Sequence, residues 1–437
     1  MGWKRQDDGG GDMRTIAVVL GLLSVMVLHG GASAQLQPPV TQVSDTPAAT
    51  LLLPYFEVNL PKTAGGKASG ITTFFEINNA SATAVLAHVT LWSDLAVPVQ
   101  QFNVYLTGYD VQTINLLDVL NGHLPQTGSA GPEDPNDTVS PKGAFSQDIH
   151  FASCDGVLPP ADLVPSVVTD LRNALTGKSS VALGGCAGLD HGDLVARGFV
   201  TVDTVNNCTS RFPSDAGYFG SGGSGDATNQ NVLWGSYYFV DPKQKLGFGD
   251  PLVHVVASAT DPETTVGGQY TFYGRLVNWT AADNRQPLST TFAARFINVP
   301  KGPLFPGGTS AIVWRDPKVN QGPFTCGSTP AWYPLAQEGL EAFNEQEEVE
   351  TPAVANAFPA AAQKVKINGP TLPVTFDSGW LFLNLNGSPT GAGANPSENP
   401  SGEQAWVSVQ HQNPKKFTVG NRAFQLDSAT DGAHFTP

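Results

Sequence analysis

The sequence predicts a mostly β protein, made of one or two immunoglobulin-like β-sandwiches with long loops and one short helical insertion. Charged residues are only 14% of the chain, where about a quarter is usual for a soluble domain. The 47 glycines and 34 prolines supply turns in abundance. Between those turns lie short runs of β-branched and aromatic residues, spaced as in a sandwich.

The first 34 residues read as a signal peptide. Residues 15–28 are an almost unbroken apolar run that follows Arg14, and Ala32 and Ala34 are the small residues that a signal peptidase accepts. The run is shorter than the roughly 20 residues of a membrane span. We therefore expect cleavage before Gln35, export to the periplasm or beyond it, and no transmembrane span in the mature chain. The alternative is an uncleaved anchor.

Residues 35–49 are polar and rich in proline, which predicts an extended lead-in. Strand signals then begin, and residues 85–92 show the clearest alternation. One face of that run carries Leu86, His88, Thr90 and Trp92, and the other carries Val85, Ala87, Val89 and Leu91. Because the second face is wholly apolar, it is expected to pack against another sheet.

Residues 121–143 form a long polar stretch, which predicts a mobile loop. The one helix predicted with caps at both ends is residues 162–176, with Asp162 as N-cap and Gly177 at its stop. Strands are predicted to resume at residue 198, and to include residues 270–279 and 374–376. The acidic run 337–350 fits either a short helix with Leu340 and Phe343 inward, or a strand that leads into an acidic loop.

No internal repeat divides the chain. Residues 50–437 are therefore one decorated sandwich, or two packed sandwiches that divide near residues 190–197.

Four cysteines in an exported chain predict two disulfides, because no C-x-x-C pair suggests a metal site. Three connectivities are possible. We expect Cys154 to pair with Cys186, across the predicted helix, and Cys208 to pair with Cys326. The competing pattern joins Cys186 to Cys208 and Cys154 to Cys326.

Composition excludes nucleic-acid binding, since the formal net charge is −15 and phosphate backbones require clustered Lys and Arg. The chain contains no H-E-x-x-H, P-loop or G-x-S-x-G sequence. The expectation is therefore a protein without catalytic residues or a bound organic cofactor.

The most suggestive cluster is Asp190-His191-Gly192-Asp193, where two carboxylates and an imidazole lie within four residues. Asp190, His191 and Asp193 are candidate ligands for a divalent cation. The alternative is a solvated turn in which an aspartate caps the next strand.

Two further features bear on carbohydrates. The acidic run offers paired carboxylates of the kind that glycoside hydrolases use, although such runs are more often solvated surface. Most tryptophans fall in predicted strands and are expected in the core, but one or two of them can form an exposed platform for stacking sugars. The seven tryptophans of the mature chain are Trp92, Trp234, Trp279, Trp314, Trp332, Trp380 and Trp406.

The segments LLLPYFEV, TTFFEINNASATAVLAHVTLW, NVLWGSYYFVD and QGPFTCGSTPAWYPL resemble an uncharacterised group of secreted bacterial β-rich proteins with no assigned activity. The resemblance spans nearly all of the mature chain. It implies a bacterial source and a β-rich fold, and it brings no catalytic residues.

Two functions remain. The first is a non-enzymatic exported protein with a structural, adhesive or ligand-binding role, whose partners are cell-surface components or glycans. The second is a secreted carbohydrate-active protein, either a binding module or a glycoside hydrolase. An exposed aromatic row beside a carboxylate pair favours the second, and its absence favours the first.

Overall fold

The computed structural model describes residues 46–66, 70–129, 140–257, 271–278, 280, 282–300, 302–317, 322–386 and 404–426. All of them belong to one compact unit, Val40–Pro437. The predicted signal peptide and most of the lead-in lie outside the described residues, as do residues 130–139 of the predicted mobile loop.

The fold is mostly β, as predicted. The described residues form nineteen strands and two α-helices. The strands are β1 (Thr50–Asn59), β2 (Thr72–Asn79), β3 (Val85–Ser93), β4 (Pro98–Leu106), β5 (Val111–Asn115), β6 (Val195–Val205), β7 (Leu233–Trp234), β8 (Ser236–Asp241), β9 (Leu246–Pro251), β10 (Val253–Val255), β11 (Thr291–Ile297), β12 (Gly308–Arg315), β13 (Gly339–Phe343), β14 (Val349–Glu350), β15 (Ala362–Lys366), β16 (Ser378–Asn384), β17 (Ala405–Asn413), β18 (Phe417–Arg422) and β19 (Phe424–Gln425). The helices are α1 (Leu116–Val119) and α2 (Pro165–Ala174).

These strands make four antiparallel sheets. Sheet I has the order β10-β1-β6-β3-β4, and sheet II has the order β5-β2-β8-β9, with β7 also paired to β2. Sheet III has the order β14-β13-β16-β11-β19, and sheet IV has the order β15-β12-β17-β18. The immunoglobulin-like topology stays a prediction.

Each pair of sheets shares an apolar core. Val89 and Leu91 of sheet I lie in one cluster with Phe75 and Phe239 of sheet II, so the apolar face of β3 packs as its alternation predicts. A second cluster joins sheets III and IV, and its members come from residues 292–423. Ile312, Trp314 and Trp406 of sheet IV belong to the first cluster, so sheet IV contributes apolar side chains to both cores.

Burial differs between inner and outer sheets. Every residue of β3 and of β12 is buried, so both faces of the central strands of sheets I and IV are covered. In sheets II and III, Thr72–Ile77 of β2 and all of β13 alternate between half-buried and buried residues. At these two strands, sheets II and III therefore each present one face outward.

The covered polar face of sheet I holds an unusual row of side chains. Thr50, Asp203, His88 and Asn103 lie directly opposite one another across β1, β6, β3 and β4. Asp203 accepts hydrogen bonds from Thr50 (2.5 Å) and from the hydroxyls of Tyr218 (2.7 Å) and Tyr273 (3.1 Å). Buried polar groups need such partners.

The buried side chain of Arg285 completes this polar face, and it is 1% exposed. Its Nη1 atom donates to Asp283 (3.0 Å). Its Nε atom lies 3.6 Å from Asp203 and donates to the hydroxyl of Thr50.

Residues 271–278 contain a 3₁₀-helix, Gly274–Val277, so the predicted strand 270–279 is wrong over its described part. The backbone N–H of Tyr273 instead donates to Asp283 (3.0 Å), which ties the segment to the polar network.

Other local predictions also change. The helix begins at Pro165 with Val164 as its N-cap, and Asp162 instead bonds the imidazole of His123 (3.2 Å). Residues 374–376 form no strand. The acidic run contains the strand β13 and then an acidic turn, so the second of its two alternatives is correct. Leu340 is buried, while Phe343, three residues later, faces outward.

The two disulfides are present, but the expected pairing is wrong. Cys154 bonds Cys208, and Cys186 bonds Cys326. At the end of β6 the backbone N–H of Cys208 donates to Ser153 (3.0 Å), which places Cys208 beside Cys154. A two-way backbone bridge between Cys186 and Phe324 (2.9 Å each) brings Cys326 to Cys186.

Residues 190–194 lead directly into β6, and residues 195–197 are its first three. This strand lies between β1 and β3 in the middle of sheet I. No helix within the described part of the chain is long and apolar enough to cross a membrane.

Candidate ligand-binding face

The outward face of sheet II begins with the alternation of β2. Phe75 and Ile77 are fully buried, whereas Thr72, Phe74 and Glu76 are half-buried and point the other way. Adjacent strand residues face opposite sides of a sheet. A Phe-Phe pair in β2 and a Tyr-Tyr pair in β8 must therefore each place one ring outside.

The outer rings meet across the strands. Phe74 lies opposite Tyr238 of β8, and their ring centroids are 5.1 Å apart with an interplanar angle of 25°. This stacked pair is the kind of contact that cross-strand aromatic residues make. It forms a continuous apolar surface two rings wide.

A third ring extends this surface. Trp234 lies opposite Asn78, four residues along β2 from Phe74, or about 13 Å at the usual strand rise. Trp234 is 43% exposed and Tyr238 is 36% exposed. Gly235 allows this arrangement, since a Cβ at that position would lie 2.0 Å from the carbonyl oxygen of Glu76.

Polar groups lie between and beside the rings. Glu76 is two residues from Phe74 and is opposite Thr113 of β5. Asn115 is opposite Phe74, and its Oδ1 atom accepts bonds from Thr72 (2.9 Å) and from the N–H of Leu117 (3.1 Å), which fixes the amide. We call this surface the aromatic face; it comprises Thr72, Phe74, Glu76, Asn78, Val111, Thr113, Asn115, Trp234 and Tyr238.

A cavity of about 340 Å³ adjoins the aromatic face at β5 and α1. Thr113 and Asn115 belong to both, so the cavity continues the surface. Its other lining residues are Ile114, Asp118, Val119, His123, Leu124 and Pro125. The cavity therefore adds a carboxylate and an imidazole to the groups available to a ligand.

The formal charges of the site are negative. The aromatic face and the cavity together carry the carboxylates of Glu76 and Asp118, and none of their residues is Lys or Arg. Such a site repels anionic ligands and admits neutral ones.

The predicted cation ligands lie outside this face, and each bonds a different partner. His191 Nε2 lies 3.0 Å from Asp94, while both carboxylate oxygens of Asp193 accept bonds from Arg197 (2.9 and 2.8 Å). The bond to Arg197 is the main reason that the pKa of Asp193 lies below its usual value. Asp190 accepts from the N–H of Gly192 (2.8 Å). Within the described ranges, no three His, Cys, Asp or Glu side chains are grouped to hold a metal ion.

The tryptophans divide into buried and exposed side chains, and the sequence alone does not identify which belong to each group. Trp234 is the most exposed of those described, Trp380 is half-buried, and Trp279 lies outside the described residues. The buried ones are Trp92, Trp314, Trp332 and Trp406.

Comparison with known proteins finds no match. The chain matches no protein-family model, no curated protein and no solved structure.

Proposed function

We propose that this chain is an exported, non-enzymatic protein that binds neutral glycans on its aromatic face. The observation that carries the proposal is the stacked, solvent-accessible pair Phe74 and Tyr238, with Trp234 further along and Glu76 and Asn115 beside it. The C–H face of a sugar ring packs on an aromatic ring, while its hydroxyls bond carboxylates and amides. This surface offers both kinds of group in adjacent rows.

The absence of Lys and Arg from this face supports a neutral ligand. A uronic acid or a sulfated sugar would bring its anionic groups against Glu76 and Asp118 without a cation to pair with. Neutral hydroxyls, in contrast, donate to those same carboxylates.

Export fits such a ligand, since polysaccharides of walls and matrices lie outside the cytoplasm. The apolar run 15–28 and the small residues before Gln35 support secretion. Two disulfides are typical of proteins in oxidising compartments.

The proposal is tested with the mature secreted protein on an array of neutral, amino and acidic glycans, followed by titration calorimetry. Trp234→Ala and Tyr238→Ala should each weaken binding about tenfold, which corresponds to roughly 1.4 kcal/mol. Phe145→Ala is the matched control, because it removes an 88% exposed ring that belongs neither to the aromatic face nor to the cavity lining, and it should change nothing. Binding that survives loss of both face rings, or release of reducing ends from bound glycan, would refute the proposal.

A further inference from the structure

The outward face of sheet III repeats the main features of the aromatic face. Leu340 and Ala342 of β13 and Leu381 and Leu383 of β16 are buried in the second core. Phe343 and Trp380 point the other way, directly opposite each other. Their ring centroids are 4.6 Å apart, with an interplanar angle of 14°. They form a second stacked cross-strand pair on a half-exposed surface.

A carboxylate again lies two residues from one ring on the same strand. Glu341 precedes Phe343 in β13 as Glu76 follows Phe74 in β2. The Oε2 atom of Glu341 is shielded from solvent and has no hydrogen-bond partner, and desolvation raises the pKa of its carboxyl group. An acceptor in that state is favoured to take a hydroxyl donor from a ligand.

Three other carboxylates of the acidic run are already engaged. Glu345 contacts Arg295 (3.6 Å) and accepts from Ser378 (3.3 Å). Glu348 accepts from Asn344 (2.6 Å), and Glu350 accepts from the N–H (2.9 Å) and the hydroxyl (2.8 Å) of Thr375. Glu341 is therefore distinguished from these three by its place beside the rings and by its unpaired oxygen.

The remaining groups of this face are a cation and a third ring. Arg295 of β11 lies opposite Trp380, in the same row as the stacked pair. Phe424 of β19 lies opposite Ala293 in the neighbouring row, and its side chain is 74% exposed. Arg295 is already paired with Glu345. This ion pair and the carboxylate of Glu341 beside three rings favour a ligand that is neutral and both donates and accepts hydrogen bonds.

We infer that Arg295, Glu341, Phe343, Trp380 and Phe424 form a second glycan-binding site, so that one molecule holds two glycan segments at once. The inference rests on the proposed function of the aromatic face and extends it from binding to cross-linking. Two linked sites raise avidity for a polymer without any new contact.

Calorimetry with cellohexaose, xylohexaose, mannohexaose and chitohexaose tests the stoichiometry directly. We expect two equivalents of at least one hexasaccharide to bind the mature protein. Trp380→Ala with Phe424→Ala should reduce this to one, and Trp234→Ala with Tyr238→Ala should also leave one. All four changes together should abolish binding, and Phe145→Ala should keep two. Thermal melting of each variant, with Phe424→Ala alone as a surface change, shows that the fold survives.

A second readout measures cross-linking. Wild-type protein should aggregate the corresponding soluble polysaccharide at a near-stoichiometric ratio, and either pair of substitutions should remove this turbidity while single-site binding persists. One equivalent that is lost only with Trp234 and Tyr238 would overturn the second site and leave the proposed function intact. Loss of binding with Trp380 and Phe424 alone would overturn both. Sedimentation as a dimer that Phe424→Ala converts to a monomer would show that a second copy occupies this face, which also overturns the inference.

Discussion

The Nε2 atom of His191 lies 3.0 Å from the Oδ2 atom of Asp94, whose side chain is 5% exposed. The other oxygen of Asp94 accepts from the N–H of Leu189 (3.0 Å), and its backbone carbonyl accepts from Ala361 (3.0 Å) and Ala362 (3.2 Å). One residue in the turn after β3 therefore holds both the loop before β6 and the start of β15.

Asp94→Ala should lower the free energy of unfolding by about 2–3 kcal/mol, because it leaves the half-buried N–H of Leu189 and the imidazole of His191 without their acceptor. Urea unfolding of the purified protein measures the change. His123→Ala removes the other His–Asp contact of similar length, whose side chains are 62% and 67% exposed, and it should have almost no effect. Equal losses in the two variants would show that Asp94 has no special role.

Arg285→Met should be among the most damaging single changes. It leaves the buried carboxylates of Asp203 and Asp283 without a cation, and breaking a buried pair in this way typically costs about 3–5 kcal/mol. The control is Arg295→Met, since Arg295 and Glu345 are both more than half exposed. A stable Arg285→Met protein with normal urea unfolding would contradict this account of the polar face.

Stability should depend on His88 at mildly acidic pH. Burial is the largest cause that lowers the pKa of His88 below 6.5, and it outweighs the bond to Asn103 and the charge of Asp203, which raise it. The unfolded chain then binds more protons than the native one. Stability is therefore complete above pH 6.5 and falls as the pH drops, by at most about 1.4 kcal/mol per pH unit.

Urea unfolding between pH 7.5 and 5 tests this slope. His88→Gln should be less stable overall but should lose less stability on acidification than the wild type. His150→Gln, which removes an exposed imidazole, should keep the wild-type slope. An unchanged slope in His88→Gln would assign the acid sensitivity to other groups.

Non-reduced peptide mapping should recover Cys154 with Cys208 and Cys186 with Cys326. The bridges span 54 and 140 residues, so chain entropy assigns them about 4 and about 5 kcal/mol of stability. Double Ser variants of each pair should therefore both unfold at lower urea, and the second should lose slightly more. Recovery of a peptide that links Cys154 to Cys186 would mean that the native pairing differs from this one.

The sequence predicts the structural features that depend on residues adjacent in the chain. The strict alternation of β3 identified a strand and its core face, because strand geometry has a period of two residues. The run after Gln337 left helix and strand open, since its apolar residues Leu340 and Phe343 fit a helical spacing as well. The structure shows a strand there, because residues 339–343 pair with β16.

The residues of the candidate site are harder to predict from the sequence. Trp234 and Trp406 both lie in strands, yet one is exposed and the other is buried in the first core. The difference depends on which sheet covers each strand. The doubled residues Phe74-Phe75 and Tyr237-Tyr238 were the available signal, because one ring of each pair has to leave the core. The cysteine pairing likewise depended on where β6 carries the chain before Cys208.

The interleaved order of the bridges has a consequence for biogenesis. A chain that crosses a membrane amino-terminus first presents Cys154, Cys186, Cys208 and Cys326 to an oxidase in that sequence, and pairing thiols as they emerge would join Cys154 to Cys186. Both native bonds skip the next cysteine in line. Correct maturation then requires either that β6 folds before the thiols are oxidised or that early bonds are reshuffled by thiol–disulfide exchange. Yield of this protein from a host should therefore respond to its disulfide isomerase more than to its oxidase.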